Sequence, residues 1–320
     1  MPMPDTFPTF PTRVQYGNYL HGYSIAMGIN VRQNSIVTQA TQGPDGGWEV
    51  DVLDESESPQ TLRYRPRVVI AATGLFPQTQ PNLVGQGLPG VSDYNGEVLH
   101  SVDYHNGARF HGKQVLLVGF GNSANDITCD LWEEGADTTV LIRSPVSLVP
   151  RSLWQFIETL SYRAHWLRRL IAQRVAGARD EIEPWRECFS VDPVEATHEV
   201  EALMKVVDSV AKFVSKKEFA EIETKGVILS EVGPIECLAV HGEAPVIDVG
   251  AARLIMRDQV AVRTSPLVGF TQTGVQFADG STEDYSAVVF ATGFSMASGH
   301  YDWLRQTASG RNRIRLRVNG

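Results

Sequence analysis

Cysteine is scarce in this sequence of 320 residues: Cys129, Cys188 and Cys237 stand far apart and none belongs to a C-x-x-C pair. That excludes a disulfide framework, a zinc site of the usual spacing and the dithiol of a disulfide reductase, and it fits a reducing, cytoplasmic setting. Positive charge is also short, since 28 Lys and Arg against 37 Asp and Glu leave a formal net charge of −9. A phosphate backbone requires a concentrated basic face, so nucleic acid is excluded as a partner. No apolar run reaches membrane-span length, and the first residues have neither the basic nor the apolar part of a secretory signal, so membrane association is not expected. Also missing are a Ser/His/Asp set, a metal-ligand cluster and a carboxylate pair at useful spacing. No catalytic side chain and no metal are therefore expected, and a cofactor must carry any chemistry. The hydrophobic fraction of 42% is enough for one large or two medium domains with proper cores.

Against these absences, residues 114–144, QVLLVGFGNSANDITCDLWEEGADTTVLIRS, form a coherent unit. An apolar strand over 114–118 enters the G-x-G-x-x-A turn Gly119-Phe120-Gly121-Asn122-Ser123-Ala124, and an amphipathic helix follows to about Glu134. Gly119 lets the chain turn sharply, Gly121 leaves room for a pyrophosphate, and small Ala124 allows the helix to lie close to the strand. The first unpaired N–H groups and the positive end of the helix dipole favour an anion there. Gly119, Gly121, Asn122, Ser123, Ala124 and Asp126 are thus candidate dinucleotide ligands. The next strand, 138–142, ends in Arg143-Ser144 with no acid at its tip. A guanidinium there can bind a 2′-phosphate through charge-assisted hydrogen bonds, which points to NADPH rather than NADH. The alternative is a glycine turn that merely packs a helix on a sheet.

Along the rest of the chain, a proline-punctuated opening leads into a helix over 12–27, with Val14, Tyr19 and Ile25 available for one face and Gly28 as a stop. Alternating residues at 35–39, 48–53 and 62–64 predict a small antiparallel meander, closed by a buried strand over 67–72. That strand runs into Ala72-Thr73-Gly74, and residues 286–293 repeat the arrangement as Ala291-Thr292-Gly293. Small residues after a buried strand suit a crossing between domains close to a cofactor, which marks Thr73, Gly74, Thr292 and Gly293. Residues 75–113 read as a proline- and glycine-rich linker. Residues 145–226 read as a charged helical insertion; within it the aromatic, arginine-rich stretch 153–174 is assigned to an amphipathic helix packed on its own domain rather than to a membrane-surface helix. Strands return at 246–249, 260–262, 268–272, 274–278 and 287–291, with Asp279-Gly280 as a hairpin signal.

The linker contains Tyr94-x-Gly96-x-x-x-His100-x-x-x-Tyr104. This resembles the F-x-G-x-x-x-H-x-x-x-Y/F fingerprint of the class B flavoprotein monooxygenases, with a final tyrosine as in the flavin-containing monooxygenase and YUCCA-like branch. The opening FPTFP, the two Ala-Thr-Gly segments, GKQVLLVGFGNSANDI and the later PVIDVG are similar to that family in the same order. The resemblance implies an α/β fold of the two-dinucleotide-binding-domain flavoprotein type, Rossmann-like at both sites. A partial FAD-type domain is expected over 1–76 and 252–320, and an NADPH-binding domain over 77–251. It implies NADPH and FAD as cofactors, and O₂ and a small nitrogen, sulfur or carbonyl compound as substrates. Hydride would pass from NADPH to FAD, and the reduced flavin would transfer oxygen.

The departures from the pattern are Tyr94 in place of Phe and the lack of both the first G-x-G-x-x-G turn for the FAD pyrophosphate and the family's C-terminal segment. FAD binding by this chain alone is consequently not expected. Exposed apolar edges of an interrupted domain would leave room for another chain or a second copy. The rival reading is a non-catalytic NADP(H)-binding or scaffold remnant of such an enzyme. His100 is assigned a structural role, bonding backbone through both ring nitrogens so as to fix the linker.

Overall fold

The computed structural model describes residues 11–43, 46–56, 58–70, 72, 87–163, 198–241 and 243–293, with a few residues before position 11. The chain divides into two compact units that part between Thr73 and Gly74.

In the first unit, α1 (Arg13–Ala26) begins at Thr12, whose hydroxyl accepts the Gln15 N–H while the Gln15 side chain accepts the Thr12 N–H. This reciprocal capping is encoded within four residues, which is why the helix starts where the sequence predicts. Gly28, at φ +63°, takes the left-handed conformation that stops it. No residue of α1 is buried, however, and Val14 and Ile25 of its expected inner face are exposed. The expected meander is present: β1 (Ser35–Gln42), β2 (Trp48–Asp54) and β3 (Gln60–Tyr64) pair antiparallel in that order. The buried strand expected over 67–72 is not. Its described residues form no strand, and Val68 and Ile70 are 72% and 82% exposed. A β-branched run is buried only where a sheet receives it, and the described residues of this unit form a meander that does not pair with it.

The second unit is built on five parallel strands in the order β4-β13-β5-β6-β9, comprising β4 (Glu97–His100), β5 (Gln114–Val118), β6 (Asp137–Leu141), β9 (Ala261–Arg263) and β13 (Ala287–Phe290). Both faces are covered, as a parallel sheet requires. Along β5 and β13, Val115, Leu117, Ala287 and Val289 face α2 (Asn122–Glu133), which contributes Ala124, Ile127 and Leu131. Leu116, Val288 and Phe290 point the other way, to Phe270, Val275 and Phe277 of the antiparallel meander β10 (Leu267–Phe270), β11 (Gly274–Phe277) and β12 (Thr282–Asp284). Each such fully buried aliphatic side chain contributes about 1.5–3 kcal/mol. A two-stranded parallel piece, β7 (Leu148–Pro150) with β8 (Val246–Asp248), stands beside α2 together with α3 (Arg151–Arg163), α4 (His198–Glu218) and α5 (Ala251–Met256).

Two expectations change here. Residues 252–293, assigned from sequence to the first domain, lie in the second unit, because β9 and β13 pair within the parallel sheet and β13 sits between β4 and β5. The stretch read as linker also contains β4, an edge strand of that sheet. Of the helical insertion, residues 164–197 lie outside the described residues.

Candidate functional site

The glycine turn follows β5 as predicted. Gly119 has φ +109°, and a Cβ there would approach the Ala291 carbonyl oxygen to 2.6 Å. Its glycine is therefore required by the close passage of the chain leaving β13, as well as by the turn. Gly121 differs: its φ is −84°, and a Cβ would meet nothing within 4 Å. The missing side chain opens space in front of α2, whose N-terminus has no side-chain cap. Ala124 is fully buried against the sheet, Ser123 is exposed, and burial raises the Asp126 carboxyl while the Arg151 charge opposes the rise. Thr292, just after β13, holds a buried hydroxyl oxygen with no hydrogen-bond partner among the described residues. An uncapped helix N-terminus, an open glycine cradle and an orphaned hydroxyl by the same turn fit an anionic, hydrogen-bonding ligand such as a dinucleotide pyrophosphate.

β5 and β6 are parallel neighbours in register, Val118 opposite Leu141, so their carboxyl ends share one edge of the sheet. Arg143 and Ser144 follow β6 at that edge, and both are exposed. Thr73 and Gly74 lie outside the described residues.

The fingerprint residues grip three different parts of the second unit. The Tyr94 hydroxyl donates to the Tyr285 carbonyl at 2.7 Å, and burial pushes this phenol up to about 12. The hydroxyl that distinguishes Tyr94 from phenylalanine thus has an acceptor. Gly96 is needed because a Cβ would collide with that hydroxyl and come within 2.7 Å of the Ser286 carbonyl oxygen. His100, 1% exposed, bonds the Gly293 carbonyl through Nε2 and the Val102 N–H through Nδ1. Tyr104 donates to Asp130 of α2 at 2.6 Å, and its hydroxyl is held far above the usual range by burial and by that carboxylate.

Sequence reasoning missed the residues that tie α2 to β8. Asn122, marked as a cofactor ligand, donates from Nδ2 to the Pro245 carbonyl and accepts the Ile247 N–H at Oδ1, both at 2.9 Å. Asn125, fully buried, accepts the Val249 N–H at 3.0 Å. Asp248 accepts the Gly250 and Ala252 N–H groups at the start of α5. Two asparagines three apart in the first turn of a helix, the first directly after the second glycine of the motif, were the available signal; their partners lie more than 120 residues away.

Residues 1–153 match a family model described as flavin-binding monooxygenase-like. The chain is 30% identical over 296 residues to the probable indole-3-pyruvate monooxygenase YUCCA8 of Arabidopsis thaliana, an alignment covering 92% of this chain and 61% of that protein. Among solved structures it is similar to an open form of cyclohexanone monooxygenase, with a TM-score of 0.60, 22% identity, and coverage of 92% of this chain and 61% of that one. It is also similar to OTEMO in complex with FAD and NADP, with a TM-score of 0.59, 18% identity and coverage of 92% and 58%. The α/β fold of this chain is similar to that of these two structures over 92% of its length. More particularly, the chain is similar to flavin-binding monooxygenases, YUCCA proteins among them, and spans about three-fifths of the length of those it matches.

Proposed function

We propose that this chain carries the NADPH site of a cytoplasmic, NADPH- and FAD-dependent monooxygenase that oxygenates a small nitrogen, sulfur or carbonyl compound. The observation that carries the reading is the open cradle at Gly121, facing the uncapped N-terminus of α2 on the sheet edge where Arg143 lies. The first N–H groups of α2 would receive the pyrophosphate, and Arg143 the 2′-phosphate. The orphaned Thr292 hydroxyl would find its partner on the dinucleotide. Bound flavin would supply the oxygen chemistry, and no metal-binding cluster stands among the described residues. The task of this chain is then to hold and orient the reductant, with Thr292 and Gly293 kept in place by Gly119 and His100. The FAD-type assignment of the first unit rests on the fingerprint, the order of motifs and the relatives named above.

Titration of the purified chain with NADPH and NADH, followed by addition of FAD and candidate amines, sulfides and ketones, tests both levels. Saturable binding with NADPH preferred is expected. Binding of neither nucleotide would remove the site. Binding without any flavin-dependent oxidation of NADPH would favour the rival, a nucleotide-binding remnant.

A further inference from the structure

We propose that Asn122 and Asn125 act as positioning residues that couple occupation of the nucleotide turn to the backbone of β8. This rests on the nucleotide reading of the turn given above. In an extended strand, backbone groups of alternate residues face the same edge. On β8 one edge meets β7, with the Val246 N–H donating to the Ser147 carbonyl. The opposite edge presents the Pro245 carbonyl and the Ile247 and Val249 N–H groups, and among the described residues no strand pairs there. Asn122 satisfies the first two with the two ends of one amide, and Asn125 satisfies the third. The pair stands in for a missing strand.

One N–H and one lone pair of the Asn122 amide are committed to β8, so the amide is held in the orientation that β8 sets, and its remaining N–H and lone pair are available only in that orientation. Asn125 shows the same dependence in another way. Its Nδ2 is buried with no partner among the described residues, a standing penalty that an apolar residue would avoid. What the asparagine supplies is the Oδ1 acceptor for Val249. The first turn of α2, which holds the open N–H groups, is thus fastened at two points to a strand that leads through Asp248 into the cap of α5. A ligand that steadies that turn must also steady β8, because opening of the Ile247 or Val249 amide requires the asparagines to release them.

Amide exchange of the whole chain, with and without NADP⁺, reads this coupling, alongside NADPH and NADH titrations of wild type, Asn122→Ala and Asn122→Asp. In wild type NADP⁺ should slow exchange at Ile247 and Val249. Asn122→Ala should lose the slowing at Ile247 and bind both nucleotides more weakly by the same factor, about tenfold. Asn122→Asp keeps an oxygen for Ile247, so it should retain the slowing there, and it serves as the measurement of record if the alanine variant does not fold. Wild-type binding with no slowing at either amide would overturn the coupling and leave the nucleotide site standing. Lost binding in both variants with wild-type slowing of Ile247 would make Asn122 a direct ligand. A wild type that binds no nucleotide would remove the site and the coupling together.

Discussion

The Nε2 atom of His100 lies 3.1 Å from the carbonyl oxygen of Gly293, while its Nδ1 receives the Val102 N–H at 3.2 Å. The second contact settles the protonation pattern: a nitrogen that accepts carries no proton, so the proton of the neutral ring sits on Nε2 and is donated to Gly293. One imidazole therefore joins the end of β4 to the glycine that follows β13. A side chain of similar size without nitrogens would leave the Gly293 carbonyl and the Val102 N–H short of partners. His100→Phe is expected to cost about 0.5–1.5 kcal/mol for each hydrogen bond lost, a fall of a few degrees in melting temperature at about 2–4 °C per kcal/mol. Exchange of the Val102 amide should accelerate. An unchanged melt with unchanged exchange at Val102 would show that the ring is not the clasp.

What was legible in the sequence follows the range of the interactions. The unit β5–turn–α2–β6 was placed to within a residue at each end, since an apolar run, two glycines and a helical repeat are local signals. The start of α1 was legible for the same reason. Strand β4 was hidden in a glycine-rich segment because four residues are too few to show a period. The assignment of residues 252–293 to the wrong unit has a different cause. The partners of β13 lie in residues 97–100 and 114–118, and no local pattern encodes a pairing across so much chain. Val68 and Ile70 make the complementary point: a β-branched run announces a strand, but burial depends on a sheet to receive it. At the site, the position of the glycine turn after β5, that of Arg143 after β6 and the backbone bonds of His100 were readable from motif chemistry. The use of the Asn122 amide was not, because it is decided by Pro245 and Ile247.

The two glycines of the turn should part company on substitution. Gly119→Ala forces a side chain into left-handed backbone, costing about 1–3 kcal/mol, and drives a methyl group into the Ala291 carbonyl at 2.6 Å. It should be poorly folded. Gly121→Ala meets no protein atom within 4 Å, so its melt should lie within about 1 kcal/mol of wild type, and the loss should appear in nucleotide binding. Thermal denaturation and NADPH titration of both proteins decide the matter. A Gly121→Ala protein that unfolds as readily as Gly119→Ala would return the turn to a packing role.

Tyr94 gives a prediction in the alkaline range. Its phenol has an ordinary value of 10.0 and is raised by burial to about 12 in the fold. The neutral form is the one the folded state favours, so this contribution is fully present below pH 10 and is lost as the pH climbs from 10 to 12. Tyr94→Phe should cost about 0.5–1.5 kcal/mol at neutral pH, for the bond to the Tyr285 carbonyl. It should also flatten the fall in stability above pH 10 relative to wild type. Urea midpoints at pH 8, 10 and 11.5 for the two proteins supply the comparison. Parallel curves for the two proteins would mean that the phenol does not ionise with unfolding.

Arg143 is expected to set the choice of cofactor. It follows β6 at the sheet edge reached by the glycine turn, it is exposed, and no acid accompanies it at the strand tip. A nucleotide whose pyrophosphate lies at the N-terminus of α2 would bring its adenosine ribose to the end of the second strand of the unit, where a 2′-phosphate would meet the guanidinium. A charge-assisted hydrogen bond contributes about 1.5–3 kcal/mol, so Arg143→Ala should weaken NADPH by roughly ten- to a hundredfold and leave NADH nearly unchanged. The same contact predicts a salt effect: raising ionic strength should weaken NADPH more than NADH in wild type, and the difference should shrink in Arg143→Ala. Calorimetric titration of both nucleotides at two salt concentrations gives all the numbers needed. Equal losses for NADPH and NADH would take Arg143 off the 2′-phosphate and leave only the pyrophosphate contacts of the turn to explain binding.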